Sequence, residues 1–264
     1  MLILALESSA KPASVAVFKA VNGFDTHAAE EFDTHAAKEP PVCCVDGKLL
    51  GQYFQNNGFS HSRTLLAMAQ SLMSNLDIKP SDIDLIAVAH GPGSFTGVRI
   101  GVSAAKGLAW GLDIPVCGVS TLEAMAYQTP MPGAVICPVM DARREQVYNA
   151  LFEWRDSSLI RLCDDRAISL EDLALDLQRY GDMPYRLVGD GVAVARDYLM
   201  CRGNCSADTP DTRDTPDALD TPELLHYQTA YGVALAALHA EPISAALLEP
   251  RYLRPSQAER AAGG

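Results

Sequence analysis

The pattern best suited to chemistry is a glycine-rich segment from His90 to Gly101, His-Gly-Pro-Gly-Ser-Phe-Thr-Gly-Val-Arg-Ile-Gly. It follows an apolar strand and opens a predicted helix, the position at which glycine loops bind phosphate through backbone amides. Its third glycine, Gly97, comes one residue too late for GxGxxG, and the sequence has no Gly-Lys-Ser/Thr to form a Walker loop. A tight turn from strand to helix, capped by Ser94 or Thr96, is at least as good an interpretation as a phosphate site.

Residues that could form a hydrolytic or metal centre are few. His61 has no second histidine three or four positions away, and the sequence contains neither HExxH nor GxSxG. The machinery of metal-dependent or serine hydrolysis is therefore not visible. The seven cysteines form no CxxC pair, so we predict reduced, mostly buried thiols rather than a zinc cluster or a disulfide framework.

Patterns of apolar residues predict the elements that would position these groups. Before a boundary rich in proline and glycine at 130–133, they predict helices over 62–76 and 96–112 and strands over 2–6, 14–18, 48–54, 85–89 and 116–119. Beyond it they predict a hairpin of 134–140 with 146–153, a helix over 170–180, a strand over 186–188 and an amphipathic helix over 222–240. The pattern is that of an α/β protein.

Two segments stand apart from this pattern. The sequence Phe-Asp-Thr-His-Ala-Ala occurs twice within 24–38, which we interpret as an enlarged hairpin tip. Aspartate occupies every third position from Asp208 to Asp220, among threonines and prolines, which is typical of a solvated linker. Metal binding by either segment is the less favoured alternative, since the aspartate run lacks the glycine turn and terminal glutamate of an EF-hand loop.

Small residues recur every four positions along the helix predicted over 96–112, at Gly97, Gly101, Ala105 and Ala109. This ridge permits close approach either by the protein's own sheet or by another protein. Val98 and Val102 form a neighbouring apolar stripe that could serve the sheet. We therefore favour a ridge that faces a partner.

Composition and charge restrict the partners that the chain could bind alone. The chain has 21 basic and 33 acidic residues, a net charge of −12 and a pI near 4.8. Phosphate backbones favour basic surfaces, so any contact with RNA is expected to come mainly through a partner protein. The sequence has no apolar run near the length of a membrane helix, and we expect a soluble, cytoplasmic protein that does not bind membranes.

Several motifs occur in an order that resembles the TsaB (YeaZ) family, the dimerization subunit of the bacterial tRNA threonylcarbamoyladenosine complex. The resemblance covers nearly the whole chain apart from 20–41 and 203–221. The motifs are LILALESS from Leu2, GKLLG from Gly47, NGFSHS from Asn57, GPGSFTGVRIG from Gly91, DARR from Asp141 with Val147-Tyr148, and PRYLR from Pro250.

The resemblance implies an actin-like (ASKHA) α/β fold of two ribonuclease-H-like lobes with mixed sheets. Residues 1–129 and 222–240 would form the first, partner-binding lobe, because the final helix returns to it. Residues 130–221 would form the second lobe with its acidic linker, and 241–264 a C-terminal tail.

The resemblance also implies a function without catalysis by this chain. The chain would form a heterodimer with the homologous catalytic subunit TsaD, with TsaE joining the complex, and would support the modification of adenosine 37 in tRNAs reading codons that begin with A. ATP and a divalent metal would belong to the partner, tRNA would be contacted only through the complex, and the chain alone would form a homodimer. The alternatives are an actin-like ATPase or kinase, or a protein related to metallopeptidases, but Leu65 stands where the catalytic subunit has its second metal-binding histidine.

Two groups of residues follow from the resemblance. Glu7, Ser8 and Ser9 occupy the place of the family's usual Asp-Thr-Ser, and we expect only a vestigial nucleotide site there because glutamate is one methylene longer than aspartate. We expect the helices over 62–76 and 96–112 to pair with their counterparts on the partner, with Arg99 as a charged anchor. The residues predicted to form this contact are Leu65, Met68, Leu72, Phe95, Val98, Arg99, Gly101, Val102 and Ala105.

Overall fold

The computed structural model describes residues 1–21, 47–58, 60–156, 158–181, 183–201 and 227–254. The duplicated segment within 24–38, the aspartate run over 208–220 and the predicted start of the last helix at 222–226 lie outside the described residues. The described chain forms two mixed β-sheets, one on either side of the boundary predicted at 130–133. The lobe limits given above stay a prediction.

The first sheet contains five strands in the order β3-β2-β1-β4-β5. Its central strand β1 is antiparallel to β2 and parallel to β4, so the sheet is mixed, as the resemblance implied. Residues of β1 are buried on both faces of the sheet, which explains their nearly continuous apolar run. The strands are β1 (Leu2–Glu7), β2 (Ala13–Ala20), β3 (Gly47–Gln55), β4 (Leu85–Gly91) and β5 (Val116–Ser120).

Helices cover both faces of this sheet. Helices α1 (His61–Asn75) and α2 (Phe95–Leu112) lie on one face, where Leu4 and Leu6 of β1 join their apolar residues in one core cluster. The opposite face, with Ile3 and Ala5, packs against α6 (Ala230–Ala237). Helix α3 (Thr121–Tyr127) follows β5 and contacts α6.

The predicted final helix is shorter than expected and is not amphipathic. The described residues Tyr227–Thr229 precede the helix, which ends at Ala237 rather than at 240. Seven of its eight residues are buried, because α6 lies between the first sheet and α3 and so has no solvent-facing side. A polar side would find no water there, so the amphipathic prediction over 222–240 is wrong for the described part.

The second sheet has the strand order β8-β7-β6-β9, with β6 parallel to β9 and antiparallel to β7. Its strands are β6 (Val135–Asp141), β7 (Gln146–Arg155), β8 (Ser158–Ser169) and β9 (Tyr185–Val188), and α4 (Leu170–Gln178) and α5 (Val192–Cys201) pack on it. The hairpin, the helix near 170 and the last strand are confirmed. The sequence patterns missed α3, β8 and α5.

The last described segment packs along the first lobe instead of extending away from it. Ile243 pairs with Val116, and Leu248 is buried in the core cluster beside α2. The segment then reaches the second sheet, where the Arg254 guanidinium donates to the Ala142 carbonyl at 2.9 Å. Among the helices of the described ranges, none is both long and apolar enough to cross a membrane.

Candidate partner-binding surface

Helices α1 and α2 lie side by side and leave a groove of about 550 Å3 between their outer faces. Leu66 on α1 is 48% exposed, although leucine is an apolar residue. Trp110 on α2 is 70% exposed and, by helical spacing, shares a face with Arg99 and Ser103. The groove is lined by His61, Ser62, Leu65, Leu66, Phe95, Thr96, Arg99, Ile100, Ser103 and Ala104.

One end of this groove holds an ordered aromatic and cationic cluster. The ring of Tyr252 stacks on that of Phe95 with centroids 4.6 Å apart. The Arg99 guanidinium lies 3.9 Å above the Phe95 ring, and its Nε donates to the Tyr252 hydroxyl at 2.7 Å. Arg99 is exposed and makes no ion pair with a carboxylate of the described residues. Its charge is therefore held in place and open to a partner.

The structure corrects most of the predicted contact residues. Phe95 and Arg99 line the groove, Leu65 lies at its floor, and Met68 is half-buried against the core. Six of the nine are buried in the chain's own core, where the amphipathic packing of both helices on the sheet places them: Leu65, Leu72, Val98, Gly101, Val102 and Ala105. The sequence reasoning missed Leu66, Ile100 and Ala104, which spacing from Ser62 and Thr96 at intervals of four could have indicated.

The ridge of small residues faces the protein's own sheet, contrary to our prediction that it faces a partner. A side chain at Gly97 would collide with the Ser8 carbonyl. A Cβ at Gly101 would lie 2.5 Å from the Ser8 hydroxyl and 3.3 Å from Val88. The glycines are needed because α2 packs unusually closely on the turn that follows β1.

The glycine-rich segment is a tight turn from β4 into α2, as the second interpretation held. Ser94 caps α2, because its hydroxyl accepts from the Gly97 amide at 3.3 Å. The Ser94 amide donates to the Ser9 carbonyl at 2.6 Å, and the Ser8 hydroxyl donates to the Gly97 carbonyl at 2.9 Å. These backbone groups are thus engaged by the chain itself.

The turn after β1 is closed to solvent. Glu7, Ser8 and Ser9 are each at most 1% exposed. Glu7 Oε1 accepts from the Ser9 amide at 2.5 Å, whereas Glu7 Oε2 has no hydrogen-bond partner among the described residues. Burial, with a smaller contribution from the nearby charge of Asp190, raises the pKa of Glu7 to about 7.

Asp190 brings the second lobe to this turn. It follows β9 in the sequence Gly189-Asp190-Gly191, and Gln228 donates to its carboxylate at 3.4 Å. Desolvation of its carboxylate raises the pKa of Asp190, although the residue as a whole is exposed. Glu7 is buried and Asp190 is exposed, and the two carboxyl groups are close enough for the charge of Asp190 to raise the pKa of Glu7.

His61 and His90 contact backbone carbonyls of the chain. His61 Nε2 lies 2.8 Å from the Ala10 carbonyl and His90 Nδ1 lies 3.2 Å from the Glu249 carbonyl. Burial lowers the pKa of His90. Across the part of the chain that is described, no group of three or more His, Cys, Asp or Glu residues is arranged to hold a metal ion. Cys117, Cys137 and Cys163 are free thiols, and the first two are buried.

The chain is similar in sequence to known proteins of one family. The family model described as TsaD, tRNA N6-adenosine threonylcarbamoyltransferase, matches residues 55–262. The chain is 36% identical over 151 residues to the tRNA threonylcarbamoyladenosine biosynthesis protein TsaB of Bacillus subtilis, covering 57% of this chain and 66% of that protein. It is 41% identical over 95 residues to TsaB of Escherichia coli, covering 35% and 41%. The matched part is therefore less than two thirds of either relative.

Among solved structures, YeaZ from Pseudomonas aeruginosa superposes with a TM-score of 0.67 at 22% identity, covering 96% of this chain and 99% of that one. The two mixed sheets and their helices, together with this likeness, define an α/β protein of the actin-like class. The chain belongs to the family that the matching model describes and, within it, to the TsaB (YeaZ) branch.

Proposed function

We propose that this protein is a non-catalytic subunit required for threonylcarbamoylation of adenosine 37 in tRNAs that read codons beginning with A. It acts by forming a heterodimer with the catalytic subunit TsaD, which TsaE joins. Similarity to proteins named for tRNA threonylcarbamoyladenosine biosynthesis supports this pathway. The groove between α1 and α2 is the observation that carries the partner role.

The groove has the features of a helix-pair interface. Its outer rim presents the apolar side chains of Leu66 and Ile100, between the hydroxyl groups of Thr96 and Ser103. A homologous subunit would carry an equivalent pair of helices, so the two pairs could pack as a four-helix bundle. The same surface is self-similar, which allows a homodimer when the catalytic subunit is absent.

Arg99 is suited to act as the polar anchor of this interface. Its guanidinium is already held by the Phe95 ring and by the Tyr252 hydroxyl, so binding would cost little side-chain entropy. Arginine and aromatic residues are the types that most often dominate interface energetics. We therefore expect a carboxylate or a carbonyl of the partner at this position.

The absence of catalysis is supported by the state of the turn after β1. Its three residues are buried, and the backbone groups of the glycine-rich segment named above are bonded within the chain. We propose that ATP and the divalent metal belong to the catalytic subunit and that tRNA is reached only through the complex. We also propose a cytoplasmic location.

The first prediction tests the partner surface. Leu66→Asp should weaken the heterodimer with TsaD by at least about tenfold, since a buried charge would replace an apolar contact at the rim. The isolated subunit should keep its melting temperature, because Leu66 is half exposed. The dissociation constant is measured by calorimetry with purified TsaD, and tRNA modification by the assembled proteins is measured in parallel.

Leu175→Asp is the matched control. Leu175 is 54% exposed on α4, in the second lobe, and its replacement should leave both heterodimer affinity and modification unchanged. If Leu66→Asp and Leu175→Asp bound TsaD with equal affinity, the groove would not be part of the interface.

A second prediction separates this function from an actin-like ATPase or kinase. The isolated chain should bind ATP more weakly than millimolar and hydrolyse none, because phosphates would have to displace the bonds of Ser8 and Ser94. Calorimetric titration of this chain beside the same titration of TsaD provides the comparison. A micromolar affinity would favour the nucleotide-dependent alternative.

A further inference from the structure

The turn between β6 and β7 has an unusual backbone. Arg143, Arg144 and Glu145 have φ angles of 62°, 57° and 56°, which places three consecutive residues other than glycine in the left-handed region. Each such residue is disfavoured by contact between its Cβ and the backbone. A run of three persists only where the surrounding structure imposes it, and such strain is concentrated at functional sites.

The contacts that impose this conformation leave the two arginine side chains unused. The Ala142 amide donates to the Gln146 carbonyl at 3.0 Å, and the Arg143 amide donates to Asp141 Oδ1 at 2.7 Å. From outside the turn, Leu170 donates its amide to the Glu145 carbonyl. All three bonds use backbone donors.

Arg143 and Arg144 are both exposed, and neither guanidinium has an ion-pair or hydrogen-bond partner in the described ranges. The Asp141 carboxylate is engaged by the Arg143 amide, whereas Glu145 is exposed beside them. Arg254 adds a third guanidinium at the turn by donating to the Ala142 carbonyl at 2.9 Å. Three guanidinium groups thus stand at the turn beside the carboxylates of Asp141, Glu145 and Asp190, on a chain whose net charge is −12.

The turn is also connected to the candidate partner surface. Arg254, which holds the turn, lies two residues from Tyr252, whose ring stacks on Phe95 at the end of the groove. A ligand that contacts the partner beside the groove could therefore reach the turn as well. On an acidic subunit, two arginines placed here and unpaired within the described ranges would be of use chiefly in the assembled complex.

We propose that the Asp141–Gln146 turn is held in this strained form so that Arg143 and Arg144 bind backbone phosphates of an RNA that is bound to the heterodimer. Guanidinium groups match phosphate in geometry and charge and keep their charge at any physiological pH. The proposal rests on the function proposed above, which supplies the RNA.

The experiment uses the full chain assembled with TsaD and an unmodified tRNA transcript. Arg143→Gly and Arg144→Gly, singly and together, remove the charges and accept the left-handed backbone. Binding is measured by fluorescence anisotropy over a salt series, with heterodimer affinity as a separate measurement. The slope of log affinity against log salt should fall by about 0.7 to 0.9 for each arginine removed. The isolated variants should melt at the same temperature as the unaltered chain or higher, because glycine relieves the strain.

Two further variants make the result specific. Arg144→Lys should retain most of the slope, because the charge remains. Arg179→Ala, which removes an arginine 78% exposed on the side chain in the same lobe, should change neither slope nor affinity. An unchanged slope in the double glycine variant would overturn the proposal and leave the partner function intact. Weakened heterodimer formation would instead assign the turn to a protein contact and would also overturn it. Failure of the unaltered chain to assemble with TsaD would contradict the proposed function, and this inference with it.

Discussion

Gly101→Leu is expected to lower the free energy of unfolding by about 1 to 3 kcal/mol. The new side chain would start 2.5 Å from the Ser8 hydroxyl and 3.3 Å from Val88, in a place where α2 packs on β1 and β4. Helix propensity acts in the opposite direction, since replacing glycine inside a helix gains up to about 1 kcal/mol. Overpacking should outweigh that gain, because neither the buried turn nor the central strand can move away.

Gly107→Leu is the matched control for this prediction. Gly107 lies in the same helix and is exposed, and apart from its chain neighbours and the backbone of its own helix no atom lies within 4 Å of where its Cβ would be. The same substitution should therefore stabilise the isolated chain by up to about 1 kcal/mol. Urea unfolding of both variants measures the difference directly. If Gly101→Leu were as stable as Gly107→Leu, the small-residue ridge would have to face outward after all.

Gly101→Leu also tests whether Gly101 belongs to the partner surface. Because Gly101 faces inward, the folded fraction of Gly101→Leu should still bind TsaD, in contrast to Leu66→Asp. A pull-down below the melting temperature makes this comparison. Loss of partner binding without loss of stability would contradict the inward orientation of the ridge.

Periodicity predicted most elements of the first lobe within two residues, because long apolar patterns define a buried face. Periodicity failed where the apolar pattern is short or interrupted by charged residues. Helix α3 has only seven residues, too few for two full turns of pattern, and β8 mixes apolar residues with four charged ones and is largely half-buried. Helix α6 was expected to show a polar side that its burial between two layers does not permit.

The candidate surface was harder to predict than the fold, for a physical reason. Apolar residues at helical spacing identify the side of a helix that is removed from water, and in α1 and α2 that side faces the chain's own sheet. An interface on the opposite side uses scattered residues such as Leu66 and Ile100 between polar ones. The spacing of Gly97 and Gly101 was visible, but its cause, the Ser8 hydroxyl and carbonyl, lies about ninety positions earlier in the chain.

Glu7→Gln is expected to change how stability depends on pH. In the folded chain the pKa of Glu7 is raised from 4.5 to about 7 by burial. Between these values the unfolded chain has released this proton while the folded chain retains it, so stability falls as pH rises. The loss is complete above the folded pKa. Glutamine has no proton to lose, so this part of the pH dependence should be absent from the variant.

The size of the effect follows from the shift of the pKa. A difference of about 2.5 units corresponds to about 3 kcal/mol, so Glu7→Gln should gain that much relative to the unaltered chain between pH 4 and pH 8. The glutamine amide adds donors at a place where Glu7 Oε2 has no described partner, so the two proteins should also differ in stability by an amount that does not depend on pH. This constant difference does not affect the test. The change in the offset with pH is the diagnostic quantity. This change with pH separates the ionisation of the buried carboxyl from the general effect of the substitution on stability.

Urea unfolding at several pH values between 4 and 8 measures this quantity, with Glu241→Gln as the control. Glu241 is exposed, so its substitution should leave the pH dependence as it is in the unaltered chain. Asp190 lies near enough to Glu7 to affect its pKa, and the raised pKa of Asp190 itself contributes to the curve of every variant. Removal of the Glu7 charge should lower the pKa of Asp190. The free energy of unfolding should then depend still less on pH. Parallel curves for Glu7→Gln and the unaltered chain would mean that Glu7 is ionised in the folded state, and then a counter-charge must reach the closed turn between the lobes.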